Sequence, residues 1–315
     1  MIDVSIIIVS WNVKDLLRDC LNSIYKETER ISFEVIVADN ASSDGSAEMV
    51  RTEFPQVILI NNKENVGFNR ANNQAIRISQ GEYILLLNPD TVILDGAVEK
   101  LHNFIEQHRE IVGIGPMILN SDGKTIQFDC ARKMVSPWRE FCFLSELHLH
   151  FKKSRLFSYI TLDYWDHKDS GYIDLLSGAC MLFKTEIIRE IGLLDEDYFL
   201  YADDVDLCYR IGQKGKIYYL ADAKIIHYGG GSSSQIGNDL WLVRLESTRL
   251  FFRKNKGFFF GVGYKPLVLL SQLIRVLLIL GASLRNPTPP LKQRLLPCLN
   301  PILWSIKLKK ATKGI

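Results

Sequence analysis

The first 116 residues alternate between short apolar runs and segments with helical spacing, and this alternation restricts the possible folds more than any other feature. Between the first two runs, Leu17, Leu21 and Ile24 recur at helical spacing. The runs typical of buried strands are "VSIIIV" (4–9), "FEVIVA" (33–38), "VILIN" (57–61), "YILLL" (83–87) and "VGIG" (112–115). Repeated strand–helix units form parallel sheets with helices on both faces. The sequence therefore predicts an α/β fold with a mainly parallel, doubly wound sheet.

Polar side chains follow three of these predicted strands. The first strand ends at Ser10 and Asn12, the second at Asp39, and the fourth at Asn88 and Asp90. A turn or a helix cap would explain any one of these endings. Ligands of open α/β sheets bind at the carboxyl ends of the strands, where all three endings would meet. The pattern favours a site for a ligand with hydroxyls, phosphates and a cation.

The segment "NVGFNRANNQAI" (65–76) offers further polar groups. Asn65 and Asn72 carry amides, and Gly67 allows a close backbone approach. Capping of a helix N-terminus explains the same residues and stays an alternative. The sequence has neither GxGxxG nor GxxxxGK[ST], so it supports neither a dinucleotide fingerprint nor a P-loop. Any phosphates would therefore be met by a metal ion.

Carboxylates cluster in the segment "FLYADDVDLCYR" (199–210), which contains Asp203, Asp204 and Asp206. An acidic first helical turn accounts for one or two of them through the helix dipole. Three crowded carboxylates raise one another's pKa values, which suits a general base. His227 precedes three glycines in "IIHYGGGSSS", so it is either a structural histidine or a residue close to a ligand.

Charge is distributed unevenly along the chain. Residues 241–315 carry 14 Lys and Arg against one acid, whereas the preceding residues carry 24 against 35. The apolar stretch "PLVLLSQLIRVLLILGASL" (266–284) contains Arg275, which would cost at least ~2.5 kcal/mol at the centre of a bilayer. We therefore favour an interfacial helix on an anionic membrane surface over nucleic-acid binding. A helix packed on the catalytic domain or on a partner subunit is the alternative.

Six segments together resemble the inverting family 2 glycosyltransferases with a GT-A fold, especially the rhamnosyltransferase-like branch. They occur in that family's order over about residues 3–235. The matching segments are "VSIIIVSWN", "VADNASSDGS", "NVGFNRANN", "LLLNPDT", "SGACMLFKTEIIREIGLLDEDYFLYADDVDLCYRI" and "IIHYGGGSS". The resemblance implies a GT-A domain over residues 1–235, with a nucleotide-sugar half (1–116) and an acceptor half (117–235). Residues 236–315 would form a helical membrane-associating extension.

The resemblance also implies a role for each matching residue. Asp204 would be the catalytic base, and Asp90 and His227 would bind Mn²⁺ or Mg²⁺. Asn88 stands where the family's first metal-motif aspartate is expected. The implied donor-binding residues are Ser10, Asn12, Asp39, Asn65, Gly67, Asn72, Asn88 and Gly178.

The predicted function is metal-dependent, inverting transfer of a sugar, rhamnose being one candidate, from a nucleoside-diphosphate donor. The acceptor would be a lipid-linked glycan in cell-surface polysaccharide synthesis. An inactive nucleotide-sugar-binding module and a processive synthase are the alternatives, although the QxxRW motif of synthases is missing from the sequence. Six scattered cysteines without a CxxC motif indicate a reducing compartment, so we expect a cytoplasmic protein, peripheral on the inner face of the membrane.

Overall fold

The computed structural model describes residues 2–151, 153–158, 160–162, 164–198, 200–230, 240–285 and 290–306. The chain divides into two compact units. Unit 1 comprises Met1–Lys133, Asp166–Phe199 and Asp203–Ile236, and unit 2 comprises Met134–Trp165, Leu200–Ala202 and Gly237–Ile315. The predicted domain boundary after residue 235 falls outside the described residues and stays a prediction.

Unit 1 is built on a nine-stranded sheet. Its strand order is β3-β2-β1-β4-β10-β6-β11-β5, and β8 pairs with β11 outside this path. Strands β7 and β9 form a separate two-stranded sheet. The strands are β1 Val4–Ser10, β2 Phe33–Asp39, β3 Ile58–Asn61, β4 Tyr83–Leu87, β5 Thr91–Leu94, β6 Ile111–Leu119, β7 Ala131–Arg132, β8 Gly171–Ile173, β9 Leu175–Leu176, β10 Cys180–Lys184 and β11 Lys216–His227.

Strands β1 to β4 are mutually parallel, as the sequence predicts, and β1 and β4 are buried on both faces. Strand β10 runs antiparallel between β4 and β6. The helices of unit 1 are α1 Lys14–Glu27, α2 Ser46–Glu53, α3 Phe68–Ile78, α4 Ala97–Gln107, α7 Thr185–Glu190 and α8 Asp203–Ile211. The predicted α/β fold is confirmed.

Two details differ from the sequence-based expectations. The segments "KIYYLA" and "KIIHY" predict two strands, but they form the single strand β11, whose pairing with β6 shifts register between Leu220 and Lys224. The shift accommodates residues 221–223 between the two paired segments of β11. Strand β5 is not evident in the sequence because Thr91–Leu94 is only four residues long. It pairs antiparallel with β11 and places His227 opposite Thr91.

Unit 2 is helical in its described residues. Its helices are α5 Pro137–Leu144, α6 Leu147–His150, α9 Leu240–Asn255, α10 Phe258–Arg285 and α11 Leu291–Ser305. Its interior includes fully buried Glu140, which accepts hydrogen bonds from Tyr264 Oη at 2.8 Å and from Arg244 Nη2 at 2.9 Å. Within α10, Phe258–Ser283 is long and apolar enough to cross a membrane by length and composition.

Candidate active site

The ends of β1 and β2 bring Ser10 and Asp39 together. The two residues are direct partners in the parallel register. Both are buried, and Asp39 Oδ2 accepts a hydrogen bond from Ser42 N at 2.9 Å. Among the described residues, nothing donates to Asp39 Oδ1 or bonds to Ser10 Oγ, although both atoms are buried. A buried polar atom left unsatisfied costs about 1–3 kcal/mol, so a partner from a ligand would relieve this cost.

Asn12 lies beside this pair and connects two loops. Its backbone is left-handed, with φ of 53°. Its Oδ1 accepts a hydrogen bond from Ser43 N at 2.7 Å, and its N–H donates to Ser42 Oγ at 2.9 Å. These contacts fix the loop that follows Asp39. The structure thus shows that Asn12 braces this loop. Its role in donor binding stays a prediction.

The asparagines around α3 make local and inter-segment hydrogen bonds. Asn65 Oδ1 accepts from Gly67 N at 3.0 Å, in the turn before α3. Asn72 is buried and its Nδ2 donates to Phe68 O at 3.1 Å. These are the contacts of a helix N-terminus, and the donor-binding roles of Asn65, Gly67 and Asn72 stay predictions.

A second polar group forms where β5 pairs with β11. His227 Nε2 lies 3.3 Å from Asp90 Oδ1 and 3.4 Å from Asn88 Nδ2. The backbone carbonyl of Asp90 accepts a hydrogen bond from Tyr228 N at 3.0 Å, so the backbone of Asp90 is fixed as well. The structure therefore brings together the three residues expected near the metal, and the β5–β11 pairing closes the long sequence distance between them.

Gln127 determines which nitrogen of His227 faces Asp90. Its Nε2 donates to the His227 carbonyl at 2.7 Å, so its Oε1 is the atom 3.0 Å from His227 Nδ1. Nδ1 must then carry the proton, because Oε1 can only accept. A neutral His227 consequently directs the Nε2 lone pair at the Asp90 carboxylate. A divalent cation placed between Nε2 and the carboxylate would bind to both groups. No motif in the sequence pointed to Gln127.

These donors fit a divalent cation that also binds a diphosphate. No group of three or more His, Cys, Asp and Glu side chains suited to a metal occurs in the part of the chain that the structure describes. Mg²⁺ and its analogues often bind through one or two carboxylates plus substrate phosphates. Asp90 and His227 would supply two ligands, with His227 oriented by its bond to Gln127, as is usual for metal-binding histidines.

The three carboxylates at the start of α8 have different partners. Asp206 is buried, pairs with Arg210 Nε at 2.7 Å, and accepts a hydrogen bond from Tyr198 Oη at 3.2 Å. Asp204 is ion-paired with Arg132, and its Oδ1 accepts from Val205 N at 2.8 Å. Asp206 therefore braces the fold, as its opposite position on the helix predicts, whereas Asp204 belongs to a separate cluster.

Arg132 lies at the centre of the Asp204 cluster. Its Nη2 donates both to Asp204 and to Leu176 O, the latter at 2.6 Å. Gly178 lies alongside, because a Cβ at that position would be 3.7 Å from Asp204 Cβ. A side chain at residue 178 would thus narrow the space beside the carboxylate. Arg132 is a residue that the sequence analysis missed, since it stands in a segment without a clear period.

One turn connects the Asp204 cluster to the Asp90 loop. Asn88 N donates to Ala179 O at 3.0 Å, and Cys180 at the start of β10 pairs with Leu87 at the end of β4. Gly178 in that turn adjoins Asp204. Asn88 and Asp204, which are predicted to serve the donor and the acceptor, therefore both adjoin this one turn of unit 1.

Asp203 shows how closely the α8 carboxylates interact. Burial, and next the charge of Asp204, raise the pKa of Asp203 to about 7. The folded protein thus holds a proton that the unfolded chain releases above about pH 4. The contribution of this group to stability is full below pH 4 and is lost as pH rises through 7.

Wild type should lose stability between low and high pH because Asp203 ionises, and the Asp203→Asn variant should not show this loss. Between pH 4.5 and pH 8, we expect the free energy of unfolding of Asp203→Asn to gain about 1–3 kcal/mol relative to wild type. Urea unfolding at both pH values measures this difference. Exposed Asp169, changed to asparagine, is the control and should show no such dependence. A pH-independent difference for Asp203→Asn would contradict the raised pKa.

Comparisons with known proteins identify the family of the chain. The family described as "Glycosyl transferase family 2" matches residues 5–192. This match covers more than half of the chain, so the chain belongs to glycosyltransferase family 2. It is a glycosyltransferase, and the predicted family resemblance is confirmed.

Two similar relatives are rhamnosyltransferases. One is the N-acetylglucosaminyl-diphospho-decaprenol L-rhamnosyltransferase of Mycobacterium tuberculosis, 25% identical over 301 residues, which cover 89% of this chain and 94% of the relative. The other is a rhamnosyltransferase of Escherichia coli K12, 23% identical over 267 residues, which cover 80% of this chain and 94% of the relative. Both likenesses thus extend over nearly the whole relative.

Solved structures show the same fold. A mannosyltransferase from Pyrobaculum calidifontis in complex with GDP-Man and Mn²⁺ matches with a TM-score of 0.56 and 17% identity, over 96% of this chain and 87% of that one. S. aureus TarS 1–349 in complex with UDP-GlcNAc matches with a TM-score of 0.54 and 14% identity, over 97% of this chain and 82% of that one. The predicted GT-A fold is confirmed.

Proposed function

We propose that this glycosyltransferase moves rhamnose from a nucleoside-diphosphate donor to a lipid-linked glycan acceptor, with inversion at the anomeric carbon. Two relatives matched over 94% of their length are named as rhamnosyltransferases, and the name of one specifies a diphospho-decaprenol acceptor. The acidic catalytic part and the basic C-terminal part support a location on the cytoplasmic face of a membrane.

The observation that carries the proposal is the pair of unsatisfied buried atoms at the ends of β1 and β2. Asp39 Oδ1 and Ser10 Oγ lie where an open α/β sheet binds its ligand. A carboxylate oxygen accepts hydrogen bonds only, so it fits the N–H of a nucleobase or the hydroxyls of a ribose. These residues would hold the nucleoside end of the donor.

The residues after β4 would hold the diphosphate end. Asn88 and Asp90 follow directly from β4, which is the neighbour of β1 in the sheet. Asp90 and His227 would bind Mn²⁺ or Mg²⁺. A bound divalent cation would neutralise negative charge on the departing nucleoside diphosphate. The buried strand β4 would provide rigid support for the loop that carries Asp90. This support would explain why an apolar run ends in Asn-Pro-Asp.

Asp204 would act as the general base. It takes the proton of the acceptor hydroxyl while the acceptor oxygen bonds to the anomeric carbon and the bond from that carbon to the phosphate oxygen breaks. The nucleoside diphosphate leaves with the bonding electron pair. Arg132 pairs with Asp204 and orients its carboxylate. The pKa of Asp203 is raised to about 7, so below that pH Asp203 is mostly neutral and adds little negative charge beside Asp204.

A panel of sugar nucleotides tests the proposal. With dTDP-rhamnose and a lipid-linked N-acetylglucosaminyl diphosphate acceptor, we expect release of the nucleoside diphosphate and one added sugar per acceptor. Binding of a donor without release would favour the inactive binding module. A ladder of products would favour a processive synthase. Release from a different donor only would refute rhamnose while keeping the glycosyltransferase reaction.

Binding of the nucleotide tests the carrying observation separately. The double change Ser10→Ala and Asp39→Asn should weaken binding of the nucleoside diphosphate about 10- to 100-fold, because it removes one neutral and one charged hydrogen-bonding group. Isothermal titration calorimetry measures this loss. The exposed carboxylate of Asp19 on α1, changed to asparagine, should leave the affinity unchanged. Unchanged affinity of the double variant would refute the placement of the nucleoside.

A further inference from the structure

Helix α10 directs its polar side chains toward the rest of unit 2. Ser271 and Gln272 are fully buried. Gln272 Nε2 donates to Leu144 O at 2.8 Å, and Arg275 pairs with Glu146 at 2.5 Å. Lys265 Nζ donates to Trp304 O at 3.2 Å and lies over the indole ring. The charge in the middle of the apolar stretch is therefore paired inside the unit.

The opposite face of α10 is an exposed apolar stripe. Its members recur at spacings of three and four residues, so they lie along one side of the helix. The stripe consists of Phe259, Val262, Pro266, Leu270, Leu273, Leu277 and Leu280, all of them exposed. At 1.5 Å per residue the stripe is about 31 Å long. It contains no charged residue, and Phe259 at its start is 85% exposed.

This arrangement is the reverse of a helix on the surface of a water-soluble protein. Such a helix turns its apolar stripe toward the core and its polar residues toward water. Apolar patches of this length mark interaction surfaces. A helix with polar groups inside and leucines outside is suited to a surrounding of acyl chains, where exposed leucine has no cost.

The charges around the stripe specify the partner. Arg253, Lys254 and Lys256 are exposed and immediately precede Phe258–Phe260, which are exposed as well. Glu246 is the one acid in the sequence from residue 241 onward. Basic residues beside exposed aromatic ones match the boundary between anionic headgroups and acyl chains, because the headgroups attract Lys and Arg while the rings contact the acyl chains.

We propose that α10 lies in the plane of an anionic membrane, with its exposed stripe at the acyl boundary and Arg253, Lys254 and Lys256 among the headgroups. This inference deepens the proposed membrane location and rests on it. The inner face of α10 packs on α5, α9 and α11. A spanning α10 would carry these helices and the Arg275–Glu146 pair into the hydrocarbon, where buried charges are strongly unfavourable. The chain thereby docks without crossing the bilayer.

Vesicle flotation tests the docking surface. The full chain should float with vesicles of phosphatidylcholine and phosphatidylglycerol (3:1) and float less with pure phosphatidylcholine. The triple variant Leu270→Gln, Leu273→Gln and Leu277→Gln should bind at least tenfold more weakly, because burial of leucine is lost three times. The matched control is the double variant Ile58→Gln and Ile78→Gln, which changes exposed isoleucines of unit 1. It should bind as wild type does.

Label depth distinguishes a helix in the plane from a spanning one. All six native cysteines are buried, so nitroxide labels can be attached to cysteines introduced in Phe259→Cys, Leu270→Cys and Leu280→Cys. Power-saturation measurements should give a similar, shallow depth at all three positions. A deep label at 270 with shallow labels at 259 and 280 would show a spanning helix and overturn the proposal.

Two further results would also overturn the proposal. The first is unchanged vesicle binding of the triple leucine variant. The second is a dimer that this variant converts to a monomer, without any effect on lipid binding, since the stripe would then bind a second copy of the chain. Release of nucleoside diphosphate from the donor in detergent should stay at the wild-type rate in the triple variant. If wild type itself releases none, the proposed function fails while the docking test remains valid.

Discussion

Asp90→Ala should strongly reduce sugar transfer and weaken the binding of Mn²⁺ that we expect in the presence of the nucleoside diphosphate. The carboxylate lies 3.3 Å from His227 Nε2 at the end of a rigid strand, and in this loop it is the only charged oxygen donor beside that histidine. Without it, one histidine and an amide remain, which bind Mn²⁺ weakly. Titration of Mn²⁺ by electron paramagnetic resonance, with nucleoside diphosphate present, measures binding independently of turnover. The expected loss of transfer is about 10²-fold or more.

Chelation and a neighbouring variant complete this test. EDTA should silence the wild type until Mn²⁺ or Mg²⁺ is restored, and full activity in excess EDTA would refute the metal assignment. His227→Ala should raise the concentration of Mn²⁺ that gives half-maximal rate. A wild-type requirement in that variant would make the histidine structural. Asp95→Asn changes an exposed carboxylate on the following turn and is the control.

The sequence was sufficient to locate the edge of the sheet where the site lies. Apolar runs that end in polar residues predicted which strands are buried and where their side chains emerge, because the carboxyl ends of parallel strands meet at one edge. Ser10, Asp39 and Asn88 lie where this argument places them. The local sequence pattern is enough to predict these positions, since the position of each side chain is set by its own strand and by the parallel strand beside it.

Contacts between distant segments were beyond the same argument. Gln127 reaches His227 across 100 residues, and Arg132 reaches Asp204 across 72. Both stand between Asp122 and Pro137, where the sequence has no clear periodicity. Neither residue type indicates a ligand by itself. Their roles follow from which strand pairs with β11 and from the turn before β10, and these pairings are long-range properties of the whole sheet.

The same limit applies to α10. Composition showed an apolar stretch interrupted by Arg275, and the cost of that charge in lipid argued for an interfacial helix. In the structure Arg275 is paired with Glu146 inside unit 2, so it does not lie on the outward face of α10. The location at an interface now rests on a different observation, the apolar stripe on the outer face. Helix periodicity alone cannot tell which face of a nearly all-apolar helix is turned outward.

The three carboxylates of α8 differ in their contacts, and these differences indicate which one acts as the base. Asp206 is bonded to Arg210 and Tyr198, so its removal should lower the melting temperature more than the turnover of the folded protein. Asp203 holds its proton up to about pH 7. Asp204 is paired with a cation and adjoins Gly178, where the missing side chain leaves space. Asp204 is therefore the carboxylate that an acceptor hydroxyl can approach.

Asp204→Asn should bind the nucleotide donor about as tightly as wild type while turnover falls by about 10²-fold or more. Asparagine keeps the shape of the side chain and can still accept a hydrogen bond from Arg132, but it cannot take the proton of the acceptor hydroxyl. Steady-state rates and calorimetric donor affinities, measured side by side for Asp203→Asn, Asp204→Asn and Asp206→Asn, separate binding from chemistry.

Arg132→Lys supplies the matched comparison for this result. It keeps a positive charge near Asp204 but loses the fork that reaches both Asp204 and Leu176 O, so turnover should fall less than in Asp204→Asn. If Asp204→Asn turns over normally while Asp203→Asn is inactive, then Asp203 is the base, and the Arg132 ion pair would instead hold Asp204 out of the reaction. If all three asparagine variants turn over normally, the base lies outside α8. The carboxylates would then serve the stability of the helix alone, through its dipole and the pair with Arg210.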